Sequence, residues 1–216
     1  MAVREKFEGE LLELSNKILK LGEYAGEALN NSFNAFKMQD NETALSVLEF
    51  DQKVNLLEEE INDVAMLLIA KQQPVAIDLR RIMVAIKIAA DLERMADYGV
   101  NIAKATIRIG KCSTDFKLDD LEKMHTLMIK MLGIAMDAYS NEDVYQAQKI
   151  AVLDDQVDEL NTNFIKDMFE CSNMGIQEFN HYSFISRNIE RAADHITNIA
   201  ENIYFVVKGK HLDLNK

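Results

Sequence analysis

Apolar residues recur every three or four positions along most of the chain. The first such run contains Leu11, Leu14, Ile18, Leu21, Ala25, Ala28 and Leu29. This spacing places them on one face of an α-helix, because a helix turns once in about 3.6 residues. The same period returns in five later stretches, so the sequence predicts six amphipathic helices.

Five polar segments interrupt this periodicity and mark the predicted connections between helices. They are QDNET at 39–43, QQP at 72–74, GKCSTD at 110–115, SNED at 140–143 and CSNMG at 171–175. The second helix is therefore predicted to reach about Lys71. The later ones are predicted to cover about 75–109, 116–140, 142–172 and 176–208. Because short connections join long helices, consecutive helices should be antiparallel.

The residue types at these connections suit helix ends. Asp40 or Asn41 can cap the second helix, since a short side-chain oxygen satisfies free N–H groups at a helix start. Pro74 has no N–H, so it is predicted to end the second helix and to fit the first turn of the third. Gly175 is predicted to be the C-cap of the fifth helix.

The second half of the chain repeats the first. The phrase DLERMADYGVNIAK at 91–104 returns as NIERAADHITNIAE at 188–201, with seven of fourteen positions identical. Upstream, a shift of 103 residues places Asp51 on Asp154 and Leu57 on Leu160. Self-similarity of this kind indicates a repeated structural unit. The sequence therefore predicts an all-α fold of two three-helix bundles, residues 1–109 and 116–208, with a linker at 110–115.

The repeated phrase carries polar oxygens four positions apart, which form a stripe along a helix. The stripe is Glu93, Asp97 and Asn101 in the third helix and Glu190, Asp194, Asn198 and Asn202 in the sixth. The preceding helix of each half adds a pair at the same spacing, namely Asp51 with Asn55 and Asp154 with Asp158. If these helices are antiparallel neighbours, each bundle presents oxygen ligands from two helices on one surface.

Oxygen ligands without sulfur suit hard cations such as Mg²⁺, Mn²⁺ or Fe³⁺. A cation would also relieve the repulsion between clustered carboxylates. The candidate metal ligands are Asp51, Glu93, Asp97, Asp154, Asp158, Glu190 and Asp194. The same spacing also fits a solvated helix face that binds nothing. Arg94 and Arg191, next to the acids, are expected to pair with carboxylates on a neighbouring helix.

The charge balance narrows the possible functions. The 216 residues carry a formal net charge of −12, which disfavours binding to nucleic acid and to anionic lipid surfaces. Cys112 and Cys171 form neither a CxxC pair nor a zinc spacing. The sequence shows no signal-peptide pattern and no apolar stretch long enough to span a bilayer, so we expect a cytoplasmic protein.

The repeated phrases resemble those of the PhoU family of phosphate-transport accessory proteins. That family carries a phrase similar to L-E-R-[IM]-G-D-x-x-x-N-I-A in its third and sixth helices. DLRRIMVAIKIAADLER, which begins at Asp78, and YSFISRNIERAADH also resemble these helices, and the resemblance covers essentially the whole chain. Ala96 and Ala193 replace the usual glycine. Asn55 replaces the second acid of the E/D-x-x-x-D pattern, which predicts weaker metal binding in the first half.

The resemblance implies a cytoplasmic protein that is not an enzyme and that forms a homodimer or higher oligomer. It implies contact with the phosphate ABC transporter and with a phosphate-sensing histidine kinase. It also implies negative regulation of phosphate uptake and of phosphate-starvation genes when phosphate is plentiful. Some family members bind iron or other metals through the acidic motifs, so the resemblance gives that role to the seven carboxylates named above. Zinc, magnesium and manganese are the other candidate ions.

Two other interpretations stay open. A di-iron carboxylate enzyme needs Glu-x-x-His on two helices, a spacing found at Glu122–His125 and Glu178–His181 in the second half only. The second interpretation is a purely structural interaction module that binds no metal. The 11 methionines fit it, because flexible methionine side chains allow adaptable packing. The sequence indicates neither a catalytic nucleophile nor a glycine-rich nucleotide loop. No catalytic residues and no nucleotide site are predicted.

Overall fold

The chain forms six α-helices in the computed structural model, which describes residues 2–109 and 116–214. They are α1 (Ala2–Met38), α2 (Asn41–Gln72), α3 (Ala76–Ile109), α4 (Asp119–Asn141), α5 (Val144–Glu170) and α6 (Ile176–Lys208). The described residues contain no strand, so the predicted all-α fold with six long helices is confirmed. The predicted linker at 110–115 lies outside the described residues. None of the helices, over the residues described, is long and apolar enough to cross a membrane.

The helix starts of the two halves use the same cap. Oδ1 of Asp40 accepts hydrogen bonds from the N–H groups of Glu42 and Thr43, at 3.0 and 3.2 Å. Oδ1 of Asp143 does the same for the two N–H groups at the corresponding positions of α5, at 2.9 and 3.2 Å. Satisfying these otherwise free donors stabilises each helix start. Asp40, one of the two predicted residues, is therefore the cap of α2.

Two predicted helix ends are wrong. Gly175 is not the C-cap of α5, because its φ of −72° is not left-handed and it precedes the first residue of α6. Its N–H instead donates to the Glu178 carboxylate at 3.4 Å, and α5 ends earlier, with Cys171 as its cap. Pro74 lies in the connection before α3 and not in its first turn, because Gln73 turns the chain with a φ of 46°.

The helices form two layers. In the first layer α2, α3, α6 and α5 lie side by side in that order. Behind it, α1 packs on α2 and α3, α4 packs on α5 and α6, and α1 also contacts α4. Each half is thus a three-helix bundle, and one apolar core runs through both. The division into domains at 1–109 and 116–208 stays a prediction.

The two halves meet mainly through α3 and α6, which run antiparallel. Arg80 near the start of α3 lies beside Gly209, just beyond the end of α6, since a β-carbon at Gly209 would come within 2.8 Å of Arg80 Nη1. The small residues Ala96 and Ala193 are fully buried on these two helices. Antiparallel packing puts the α2–α3 connection at one end of the molecule and the α5–α6 connection at the other.

Candidate functional site

The first acidic face lies where α2 packs against α3 and contains Asp51, Glu93 and Asp97. All three side chains are half-buried. Burial raises the pKa of Asp51, and the negative charge of Asp97 raises it further. Burial and then the charge of Asp97 likewise raise the pKa of Glu93. The Asn55 amide opposes the rise at Asp51 by donating to Asp51 Oδ2 at 3.1 Å. The structure therefore brings these three predicted residues within electrostatic reach of one another.

The second acidic face lies where α5 packs against α6. It contains Asp154, Asp158, Glu190 and Asp194, and Asp154 is only 7% exposed. Burial, followed by the charges of Asp158 and Asp194, raises the pKa of Asp154 to about 7. Burial and then Glu190 raise the pKa of Asp158, and burial and then Asp158 raise that of Asp194. All four predicted residues of this half are brought together, and the carboxyl groups of Asp154, Asp158 and Asp194 are harder to ionise as a result.

The arginines beside these faces do not bridge to carboxylates of the next helix, so that prediction is wrong. Arg94 pairs within α3, with Asp97 at 3.0 Å and Glu93 at 3.5 Å. Residues three apart on a helix are neighbours, so this local pairing is within easy reach. Arg191 lies over the ring of Tyr98 on α3, with its guanidinium carbon 5.9 Å from the ring centroid. In the second half a different arginine makes the local pair, since Arg187 lies 2.6 Å from Glu190.

The oxygen-rich composition of both faces fits a hard cation. Oδ1 of Asp51 and Oδ1 of Asp154 are buried and have no hydrogen-bond partner among residues 2–109 and 116–214. A cation placed near them would satisfy these oxygens and offset the mutual repulsion. Within the same two ranges, however, no three His, Cys, Asp or Glu side chains are close enough to hold one metal ion. The side chains would have to rotate toward a shared ion, and metal binding stays a prediction.

Sequence reasoning missed three polar groups at these faces. The charge of Glu58 raises the pKa of Glu93, and Asp155 raises that of Asp154. Arg187, the third, lowers the pKa of Asp158. The signal for Glu58 was present in the sequence, because it lies seven residues after Asp51 and so on the same side of α2.

A partly buried chain of hydrogen bonds joins α3 of the first half to α6 of the second half. His195 Nδ1 lies 2.8 Å from Asp91 Oδ1, and His195 Nε2 lies 3.2 Å from the Tyr98 hydroxyl. A carboxylate can only accept, so Nδ1 donates to Asp91; in the neutral imidazole the Tyr98 hydroxyl then donates to Nε2. Tyr98 and His195 occupy the same position of the repeated phrase. The alignment of the repeats shows that Tyr98 and His195 are equivalent, but it does not show that the two side chains are in contact.

The Glu-x-x-His pairs of the di-iron interpretation are not assembled into a site. His125 is buried and stacks on Phe33, with ring centroids 4.2 Å apart, and burial lowers its pKa to about 4. Glu122 pairs with Lys37 at 2.8 Å, and the Glu178 carboxylate accepts from the Gly175 N–H. These contacts hold the residues in helix packing and helix capping.

Comparison with known proteins decides the family. The PhoU domain model matches residues 18–106 and 121–203. The chain belongs to the PhoU family. This confirms the resemblance seen in the repeated phrases, and the two matched segments fall in the two halves of the fold.

Relatives of the PhoU family match along nearly their whole length. A protein of Rhizobium meliloti named phosphate-specific transport system accessory protein PhoU homolog is 34% identical over 211 residues, covering 96% of this chain and 89% of the relative. A Clostridium acetobutylicum protein of the same name is 30% identical over 216 residues, covering 98% and 99%. The crystal structure of the phosphate transport system regulatory protein PhoU from Streptococcus pneumoniae superposes with a TM-score of 0.90 at 28% identity, covering 96% and 99%. The predicted repeat of two three-helix bundles is thus the PhoU fold.

Proposed function

We propose that this protein is a negative regulator of phosphate uptake and phosphate-starvation signalling. The observation that carries the proposal is the family match in both halves, together with relatives named as accessory proteins of the phosphate-specific transport system. We infer that it contacts a cytoplasmic component of the phosphate ABC transporter, a phosphate-sensing histidine kinase, or both. It would do so as a cytoplasmic homodimer or higher oligomer.

We infer that it acts by contact and not by chemistry. The described residues place His125, Glu122 and Glu178 in packing and capping roles, which leaves the di-iron enzyme without support. Two acidic faces on a chain of net charge −12 are complementary to a partner with a basic surface. Complementary charges speed association and select the partner, and salt weakens that effect because it screens exposed charges.

Metal binding would make the acidic faces switchable. We propose that Asp51, Glu93 and Asp97 hold one site and that Asp154, Asp158, Glu190 and Asp194 hold the other, with iron, zinc, magnesium or manganese as the candidate ions. A bound cation would neutralise part of each face. These residues would therefore present a weaker negative surface to a basic partner when metal is bound.

Deletion of the gene in the native host tests the regulatory role. We expect phosphate uptake or a starvation-gene reporter to rise in phosphate-rich medium, and the intact gene on a plasmid to restore the original level. A pull-down from the same host should recover a transporter or kinase component at low salt and less of it at high salt. An unchanged reporter together with recovery of neither component would refute the proposal.

A further inference from the structure

The two halves are related by an approximate two-fold axis between α3 and α6. These helices lie side by side, and the Tyr98 hydroxyl lies 3.2 Å from Nε2 of His195, its equivalent in the repeat. A rotation that exchanges the halves exchanges these two residues, so its axis passes between them. The rotation also keeps α1 and α4 on the same side of the layer α2, α3, α6 and α5, so the axis is perpendicular to that layer. Over residues 2–109 and 116–214, no helix packs on the other side of the layer, which we call the open side.

Two equivalent arginines point to the open side. Leu92 of α3 faces α1, since a β-carbon at Gly22 would lie 3.9 Å from Leu92 Cδ1. Arg94 follows Leu92 by two residues, which is about 200° around the helix and therefore the opposite side of α3. The Arg94 side chain is 60% exposed. Arg191 has the same position relative to the fully buried Ile189 of α6 and is also exposed.

This arginine pair is unusual because the exposed residues of the two halves otherwise differ. From position 41 to position 67, none of the exposed residues of α2 is identical to its equivalent in α5, 103 positions later. Among the exposed residues that the structure describes in α3, Arg94 alone is identical to its equivalent in α6, 97 positions later. Most exposed positions tolerate substitution. Two copies of a repeat therefore diverge at such positions unless the same contact is needed in both.

The helices behind the layer carry one further identical pair over their described residues, Lys20 in α1 and Lys123 in α4. Lys20 donates to the Glu23 carboxylate at 2.7 Å, and Lys123 donates to that of Asp120 at 2.7 Å. Residues three apart on a helix are neighbours. A contact within its own helix therefore accounts for each lysine.

Contacts inside the protein do not account for the arginine pair. Arg94 pairs with Asp97 at 3.0 Å, whereas Arg191 lies over the ring of Tyr98. Across the described residues, no carboxylate lies within ion-pair distance of Arg191, and Arg187 makes the ion pair of this part of α6. The two arginines thus have different internal contacts and the same residue type. The guanidinium donors of Arg191 are left available to an external group.

The open side is acidic as a whole. Its carboxylates are the seven of the two acidic faces together with Glu58, Asp91, Asp155 and Glu201. They outnumber its cations, which are Lys87, Arg94, Lys104, Arg108, Arg187 and Arg191. The two arginines therefore lie close to the axis, between two acidic faces that are equivalent under the same rotation.

We propose that the open side docks on a protein partner that is itself a two-fold symmetric dimer, with the two axes aligned. Each partner subunit offers one carboxylate to Arg94 or to Arg191 and presents basic residues to one acidic face. A two-fold dimer presents the same surface twice, so it requires the same residue at both equivalent positions. The planar guanidinium of arginine suits a carboxylate that accepts two parallel hydrogen bonds. The inference rests on the proposed function, because the partner is the transporter or kinase component named there.

The charge of the open side argues against a second copy of this chain as the occupant. Two copies that met through their open sides would set acidic faces against acidic faces, and opposed like charges disfavour association. A partner with basic residues around a central pair of carboxylates is complementary to both features of this surface.

Capture of the transporter or kinase component from the native host tests the proposal, with the tagged full chain as bait. Arg94→Ala and Arg191→Ala should each reduce capture by about tenfold or more, and their losses should agree within about twofold, because each removes one of two equivalent ion pairs. Lys20→Ala and Lys123→Ala are the matched controls, identical in both halves but behind the layer, and should capture the component like the unmodified chain. Native mass spectrometry of the complex should give one chain to two partner subunits. The starvation-gene reporter should rise equally in the two arginine variants.

Equal losses would not follow from a structural role, because the internal contacts of the two arginines differ. Clearly unequal losses, a complex with one partner subunit, or equal losses in the lysine variants would overturn the proposal. It would also be overturned if the arginine variants altered only self-association in sedimentation velocity, which would assign the open side to a second copy. A reporter that responds to gene deletion but to neither arginine variant would overturn this inference and leave the regulatory function intact. A reporter unchanged by deletion, with neither component captured, would overturn both.

Discussion

Asp154 shows how strongly the fold acts on a single residue. The residue is 7% exposed, and burial together with the charges of Asp158, Asp194 and Glu190 raises its pKa from an ordinary value near 3.8 to about 7. The folded protein therefore binds this proton more tightly than the unfolded chain does. Between pH 3.8 and pH 7 the contribution of Asp154 to stability falls as pH rises, and above pH 7 its full cost is present.

We predict that Asp154→Asn stabilises the metal-free protein at pH 8 and has little effect at pH 4. The shift corresponds to about 4 kcal/mol at most, and we expect about 1–2 kcal/mol because neighbouring side chains and water relax around the charge. Urea unfolding with a chelator at the two pH values measures the difference. Asp167→Asn, at an exposed position further along the same helix, is the control. Equal stabilisation at both pH values, or by the control, would contradict the prediction.

A second prediction at this scale concerns Asn55, which occupies in the first half the position that Asp158 occupies in the second. We expect the second acidic face to bind a divalent cation at least as tightly as the first, because Asn55 supplies no charge and its amide is already hydrogen-bonded to Asp51. Calorimetric titration with Mn²⁺ would compare the unmodified protein with Glu93→Gln/Asp97→Asn and Glu190→Gln/Asp194→Asn. The second variant should lose the tighter site. Unchanged stoichiometry in both variants would mean that the faces are only solvated surface.

At the scale of helices, close packing depends on where glycine is placed. A β-carbon at Gly99 of α3 would lie 3.0 Å from the backbone carbonyl carbon of Ala28 in α1, whereas one at Gly133 of α4 would have nothing within 4 Å. A helix backbone cannot move aside as a flexible side chain can. The same substitution should therefore have opposite effects at the two sites.

We predict that Gly99→Ala lowers the free energy of unfolding by about 1–3 kcal/mol, since overpacking outweighs the gain in helix propensity. Gly133→Ala should raise it by about 0.5–1 kcal/mol through propensity alone. Thermal and urea unfolding of both variants measures these changes. The packing argument fails if the two substitutions shift stability in the same direction.

At the scale of the whole molecule, the contact between α1 and α4 links the halves through a group that titrates. His125 of α4 stacks on Phe33 of α1, with Lys37 and Glu122 paired nearby, and its pKa is lowered from 6.5 to about 4 mainly by burial. The folded state therefore releases this proton more readily than the unfolded chain. Its contribution to stability is present above pH 6.5 and is lost as pH falls toward 4.

We predict that His125→Phe reduces the loss of stability between pH 6.5 and pH 4 by about 2 kcal/mol, because phenylalanine keeps the ring stacking and cannot be protonated. Asp154 has the opposite effect on the pH dependence of stability over this range. It is present in both the unmodified protein and the variant, so its effect cancels in the comparison. Chemical unfolding at several pH values gives the two slopes. Parallel slopes would show that His125 is not the group responsible.

The sequence predicted the helices well, because their order and ends depend on local patterns. Apolar periodicity located all six, and Asp40 was one of two cap candidates predicted from their short polar side chains. Gly175 was misassigned, since glycine can occupy either end of a connection and only the backbone angle decides.

The candidate site was predictable in its residues but not in its energetics. The repeated phrase and the polar pairs of the preceding helices identified the acids of both faces. The burial of Asp154 and the contact of Asp91 with His195, in contrast, come from packing between helices distant in sequence. Arg94 was assigned a partner on another helix because a sequence pattern does not show which of several nearby carboxylates a long side chain reaches.

The contact between Tyr98 and His195 has a consequence for how the sequence of a repeat protein can evolve. Two identical subunits related by a two-fold axis would set the same residue against itself at this position, and any substitution would alter both sides together. One polypeptide that carries both copies escapes this constraint. Here one side is a phenol and the other an imidazole, and Asp91 anchors the imidazole while Asn188, its counterpart in the repeat, donates instead to the carbonyl of Phe184. Fusion of the repeats thus lets each side of the contact acquire its own chemistry independently.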